Sequence, residues 1–201
     1  TIVVCGYTNL IGADVGESTA LRETHGIDYG DAPLTITLGE EAEFIVQPGE
    51  QSSGATSSGI TGKGTLTVNG SGALNVIAPA DKPLGDADGA TYSLDLYGDL
   101  VVSESAQVVA ASETPNVYCI NTVGLRMHGT GATITLSDSG RLAAVGGYAG
   151  TAVTTDGNGD AFDLQVVAEE GWAGQCVIIF TPAAELQGNA VVALDDCTAT
   201  I

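Results

Sequence analysis

The sequence predicts an all-β chain wound as a parallel β-helix, a solenoid with coils of about 30 residues. Three observations lead there. One nine-residue unit recurs at nearly constant spacing. Short runs alternate apolar and polar residues. Val, Leu, Ile and Ala dominate the apolar residues, with Thr and Gly abundant and aromatics few, a β-rich profile.

The recurrent unit is apolar, two variable residues, a small or polar residue, Ala or Gly, then apolar residues at alternate positions. It reads Leu38-Gly-Glu-Glu-Ala42-Glu-Phe44-Ile-Val46 and Val68-Asn-Gly-Ser71-Gly72-Ala-Leu74-Asn-Val76. It returns from Val102 to Ala110 around Ala106 and from Leu136 to Ala144 around Gly140, with weaker copies from Val167 and Leu186. The small residues 42, 72, 106 and 140 lie 30 to 34 residues apart. A small side chain at this point suits a corner between two strands, where a larger Cβ substituent would crowd the bend.

Around these units sit strands of period two. Leu34, Ile36 and Leu38 share one face, and Thr35 and Thr37 the other. Leu66-Thr-Val68, Leu94-Asp-Leu96, Leu125-Arg-Met127 and Ile134-Thr-Leu136 repeat the pattern, and each run ends in turn-forming residues. The runs starting at Leu34, Leu66, Leu94 and Leu125 are 32, 28 and 31 residues apart, and each interval has room for three short strands. One such interval is one coil, so these four leucines are expected to stack in a single buried column. A β-sandwich also has short alternating strands and frequent turns, but it does not require one corner motif at a constant period.

The stretch Gly64-Thr-Leu-Thr-Val-Asn-Gly-Ser-Gly-Ala-Leu-Asn-Val-Ile77 resembles the repeats of right-handed β-helices in bacterial surface proteins, among them autotransporter passengers, large adhesins and pectin-lyase-like modules. The resemblance runs from about Thr35 to Gly147 and implies a right-handed coil. It divides one continuous domain into an N-terminal strand or cap over 1–33, coils over 34–150, and C-terminal coils or a cap over 151–201. Terminal coils of a solenoid are atypical because they close an open apolar end. The abrupt start at Thr1 leads us to expect a processed chain or a fragment.

A formal charge of −20, with Arg22, Lys63, Lys82, Arg126 and Arg141 the fixed cations, repels phosphate backbones and anionic bilayers. Nucleic acid is therefore not an expected partner. No apolar run approaches the roughly 20 residues of a membrane span, so no membrane insertion is expected. The same charge keeps a surface soluble.

Three places could carry chemistry or cross-links. Aligning Leu94 with Leu125 sets Asp95 beside Arg126 and Tyr97 beside His128 on the outer face. Neighbouring strands lie about 4.8 Å apart, so Asp95 and Arg126 are an expected ion pair. Two readings stand: a sugar-binding surface with Tyr97 as stacking platform, or a solvated face whose charges pair modestly. The loop from Asp156 spaces Asp156, Asn158, Asp160 and Asp163 as D-x-N-x-D-x-x-D. Calcium takes six to eight oxygen ligands from such Gly-rich loops, whereas Ala161 and Val167 depart from the EF-hand pattern. The calcium loop stands against a plain acidic turn. Among the four cysteines, Cys5, Cys119, Cys176 and Cys197, no C-x-x-C pair suggests zinc. A Cys176–Cys197 disulfide clasping neighbouring rungs stands beside buried free thiols.

No Ser-nucleophile motif, P-loop or Rossmann fingerprint is present. The expected role is a non-enzymatic extracellular or cell-surface adhesin or stalk, with glycan or a host surface protein as partner and calcium stiffening one loop. Two alternatives remain: a polysaccharide lyase or glycoside hydrolase on the same scaffold, and a filament or coat subunit self-associating through the solenoid ends.

Overall fold

The computed structural model describes residues 1–13, 23–49, 56–78, 91–112, 122–128 and 132–145, with their side chains apart from a few positions, and the strand segments 151–155, 165–168, 176–181, 191–194 and 198–200. Every regular element among them is a β-strand. Three sheets form, and within each the hydrogen-bonded neighbour of a strand is, with one exception, the third strand before or after it in sequence.

The first sheet stacks β1 (Ile2–Val4), β4 (Leu34–Leu38), β7 (Leu66–Gly70), β10 (Leu100–Val102), β13 (Thr133–Leu136), β16 (Gln165–Ala168) and β19 (Thr198–Thr200). The second stacks β2 (Tyr7–Ile11), β5 (Glu43–Gln47), β8 (Ala73–Ala78), β11 (Gln107–Ser112), β14 (Arg141–Val145), β17 (Cys176–Thr181) and β18 (Val191–Leu194). The third stacks β3 (Thr24–Asp28), β6 (Ser57–Gly62), β9 (Thr91–Leu96), β12 (Thr122–Met127) and β15 (Thr151–Thr155). Pairing is parallel throughout, except that β19 and β18 join antiparallel to β16 and β17. This all-β arrangement of parallel strands is compatible with a parallel β-helix.

Period-two patterning places the core. In β4 the burial alternates, with Leu34, Ile36 and Leu38 inside and the two threonines partly exposed. Parallel register then piles like on like. Leu34, Leu66, Leu100 and Ile134 form one buried column, and Ile36, Val68, Val102 and Leu136 the next. In the second sheet Phe44, Leu74, Val108 and Leu142 do the same. Each fully buried aliphatic side chain stabilises by about 1.5–3 kcal/mol relative to exposure.

The expected single column of Leu34, Leu66, Leu94 and Leu125 divides into two. Leu34 and Leu66 belong to the first sheet, where Leu66 faces Leu100. Leu94 and Leu125 belong to the third, stacked on Ile60. All four are buried, and alternation marks the inner side of every sheet alike, so it does not say which sheet a leucine serves.

The corner reading of the nine-residue unit matches the backbone. The Ala73 amide donates to the Ala42 carbonyl, Gln107 to Gly72, and Arg141 to Ala106, so the corners themselves are laddered. Ala42, Gly72, Ala106 and Gly140 are buried. The first unit is displaced on its leading side: Ile36, not Leu38, pairs with Val68, so its corner is two residues longer. The copy from Val167 is also shifted, because Ala168 takes the place opposite Leu136.

Candidate functional site

The outer side of the third sheet holds the site, and a break in alternation shapes it. Register pairs His25 with Ser58 and Tyr92, then skips a residue before pairing Ile27 with Ile60 and Leu94. The skipped positions are Gly26, Gly59 and Ser93. A Cβ on Gly26 or Gly59 would collide with Val46 or Val76 of the second sheet, so these positions point into the core. The next residues, Ile27, Ile60 and Leu94, also pack into it. Two consecutive inward residues bend each strand. Residues on either side of the bend, three apart in sequence, then share the outer side, where a regular strand would set them on opposite faces.

Arg126 shows the consequence. It pairs in register with Asp95, yet also reaches Tyr92 three residues earlier on β9. Its Nε donates to Asp95 Oδ1 at 2.6 Å and its Nη2 to Asp95 Oδ2 at 2.7 Å, a two-pronged contact. Its Nη1 donates to the Tyr92 hydroxyl at 2.6 Å, and its guanidinium carbon lies 3.5 Å from the Tyr92 ring centroid. Just past the end of the same strand, His128 Nε2 lies 2.7 Å from Asp95 Oδ1, and an ionised carboxylate can only accept there. The His128 ring stacks on Tyr97, with centroids 3.8 Å apart and planes 7° apart. Backbone bonds hold both aromatic residues in line, Tyr97 amide to Gly62 carbonyl and His128 amide to Leu96 carbonyl.

Burial alone would raise the Asp95 carboxyl pKa. Hydrogen bonds from His128 and Arg126, and the guanidinium charge, outweigh it and hold the carboxyl below its ordinary value. Burial works against the Arg126 charge, and Asp95 more than compensates, so Arg126 is held even more firmly protonated. Burial pushes the Tyr92 and Tyr97 hydroxyls up. Neither member of the pair is poised to accept a proton. The carboxylate is saturated with donors, and a guanidinium has no acceptor.

Beside this cluster lies a groove of about 370 Å³. Thr61, Asp95 and Arg126 line it from the sheet, Tyr97 flanks it with the His25 imidazole, and Glu23, Asp28, Asp31 and Lys63 add charge around it. Lys63 faces Asp31 at 3.5 Å and His25 faces Glu23 at 3.7 Å. Asp28 accepts the Gly30 amide at 2.9 Å. Asp95 is 4% exposed and Tyr97 46%, so the ion pair is a buried support and the tyrosine is the surface.

The four residues singled out on the outer face, Asp95, Tyr97, Arg126 and His128, are thus brought together in one cluster. Asp156, Asn158, Asp160 and Asp163 lie outside the described residues, as do Cys119 and Cys197. Cys176 begins β17, and Cys5 is an exposed free thiol. Among the described residues no group of three or more His, Cys, Asp or Glu side chains could hold a metal ion. Sequence reasoning missed Tyr92, Ser58, whose hydroxyl donates to Asp95 Oδ2 at 3.5 Å, and the groove's acidic edge. Tyr92 was within reach, because Tyr-Ser-Leu-Asp puts it three residues before Asp95, but regular alternation sends it to the opposite face.

Family models, curated proteins and solved structures yield no match to this chain.

Proposed function

We propose that this chain is a rigid, non-enzymatic module of a bacterial surface protein, a right-handed parallel β-helix that holds glycan in the groove beside Tyr97. The observation that carries the reading is the half-exposed Tyr97 ring, backed by His128 and set next to a polar groove. Sugar rings present an apolar face and a hydroxyl edge, which suits an aromatic platform beside polar groups. Strand partners 28 to 36 residues apart support coils of roughly the expected size. Parallel crossovers are right-handed in about 98% of cases, which supports the hand. Extracellular placement and a calcium-stiffened loop at 156–163 belong to the same proposal.

The donor-saturated Asp95 and the locked Arg126 favour binding over a lyase or hydrolase at this cluster. A second reading has its own support. β1, β2 and β3 each stand at one end of their sheets, and Val3, Tyr7 and Ile11 near those edges are exposed. An uncovered parallel edge is a template for further strands, as a stacking filament subunit would need.

A glycan array read with calcium and with chelator tests the proposal. Binding to a defined glycan set, lost in Tyr97→Ala, is the expected result. Binding that survives Tyr97→Ala would sink the groove reading, and a melting temperature indifferent to chelator would sink the calcium loop. Concentration-dependent fibres without glycan binding would favour the filament.

A further inference from the structure

We propose that the groove beside Tyr97 selects a chain of amino sugars carrying free ammonium groups and rejects uronates and other acidic sugars; this rests on the glycan reading above. Among the described residues the groove brings four carboxylates, Glu23, Asp28, Asp31 and Asp95, against two fixed cations, Lys63 and Arg126. Among the described residues Arg126 is the only guanidinium lining the groove, and Asp95 and Tyr92 already occupy three of its nitrogens. A sugar carboxylate would have to displace Asp95 from that pair and leave it buried with one cation fewer, a costly exchange. Lys63 stands 3.5 Å from Asp31 with both side chains largely exposed, so this pair adds little net attraction for an anion.

Positive charge meets the opposite situation. Asp28, Asp31 and Glu23 lie around the groove opening, and the chain as a whole carries −20. An ammonium on a sugar ring stacked over Tyr97 would sit among these carboxylates, and the tyrosine face itself favours a nearby cation. The overall field would also raise the encounter rate of a cationic chain. The aromatic platform supplies the place, and the surrounding carboxylates set the sign of the ligand.

Calorimetric titration of the full chain with three oligosaccharides of equal length tests this: a glucosamine oligomer, its N-acetylated counterpart and a galacturonate oligomer. The glucosamine oligomer should bind about tenfold more tightly than the N-acetylated one, with no measurable galacturonate binding. Asp28→Asn and Asp31→Asn should each weaken glucosamine binding several-fold, and Tyr97→Ala should remove it. Glu40→Gln with Glu41→Gln, at a corner between the first two sheets, should leave it unchanged. Equal or tighter Tyr97-dependent binding of the N-acetylated or galacturonate oligomer overturns the charge assignment and leaves the groove reading standing. Glucosamine binding that ignores Tyr97 and Asp28 is general attraction to an acidic protein, and also overturns it. If none of the three binds, this inference is overturned, and the glycan array decides the groove reading separately.

Discussion

Arg126 stands directly above Asp95 on the neighbouring strand and grips its carboxylate through two nitrogens, at 2.6 and 2.7 Å. The side chains are 18% and 6% exposed, so water screens the pair poorly. Removing one partner of such a pair strands a buried charge. Arg126→Ala should therefore cost about 3 kcal/mol. Arg126→Lys should cost roughly half that, because an ammonium keeps the charge and loses the planar fork. Urea denaturation of the variants checks both. An Arg126→Ala protein as stable as the parent would show that the pair contributes nothing.

The same pair fixes an acid dependence. Asp95 has a folded-state pKa below its ordinary value of 3.8. Its contribution is complete above that value and is lost as pH falls below it toward the folded value. In Asp95→Asn this contribution is missing at every pH. The stability gap between parent and variant should be widest near neutrality and shrink below about pH 4. A gap that stays constant down to pH 2 contradicts the assignment.

Gly70 is the tightest backbone position in the described coils. Its φ is +98°, and a Cβ there would collide with the Leu38 carbonyl oxygen of the strand beneath. Gly70→Ala should destabilise by at least about 2 kcal/mol, combining left-handed strain with steric conflict. Ser71→Ala, on the exposed neighbour, should stay within about 0.5 kcal/mol of the parent. Thermal melts of the two variants side by side separate the backbone effect from general sensitivity of the corner.

Ser93 occupies the inward bend position where the strands below carry Gly26 and Gly59. Its hydroxyl is buried without a hydrogen-bond partner. Ser93→Ala removes that unsatisfied group and keeps the Cβ, so it should raise stability by about 1 kcal/mol. A drop in melting temperature for this variant would mean that the hydroxyl is satisfied in solution.

Tyr97 and Tyr29 separate surface from support. Tyr97→Ala loses one stacked pair at a half-exposed site and should cost no more than about 1 kcal/mol of stability. Tyr29 packs against the core, its hydroxyl donates to the Gly64 carbonyl at 3.0 Å, and burial raises its pKa well above 10. A raised acid pKa means that stability is intact below the ordinary value and falls as pH climbs beyond it. Tyr29→Phe should flatten the loss of stability above pH 10, as alkaline melts would show.

Residues of the sequence by themselves determined the strand period, the Ala/Gly corner and the vertical meeting of Asp95 with Arg126. Each follows from local rules: inward and outward residues alternate, a corner admits only a small side chain, and a repeat stacks on its predecessor. Only the tertiary structure decided that Leu94 serves a different sheet from Leu66, since period two is the same on every face. It also decided that Tyr92 touches Arg126, and that Asp28 and Asp31 gather around one groove. Those contacts depend on the bend at Gly26, Gly59 and Ser93, where core packing against Val46 and Val76 overrides alternation, and a hydropathy pattern carries no record of such a bend.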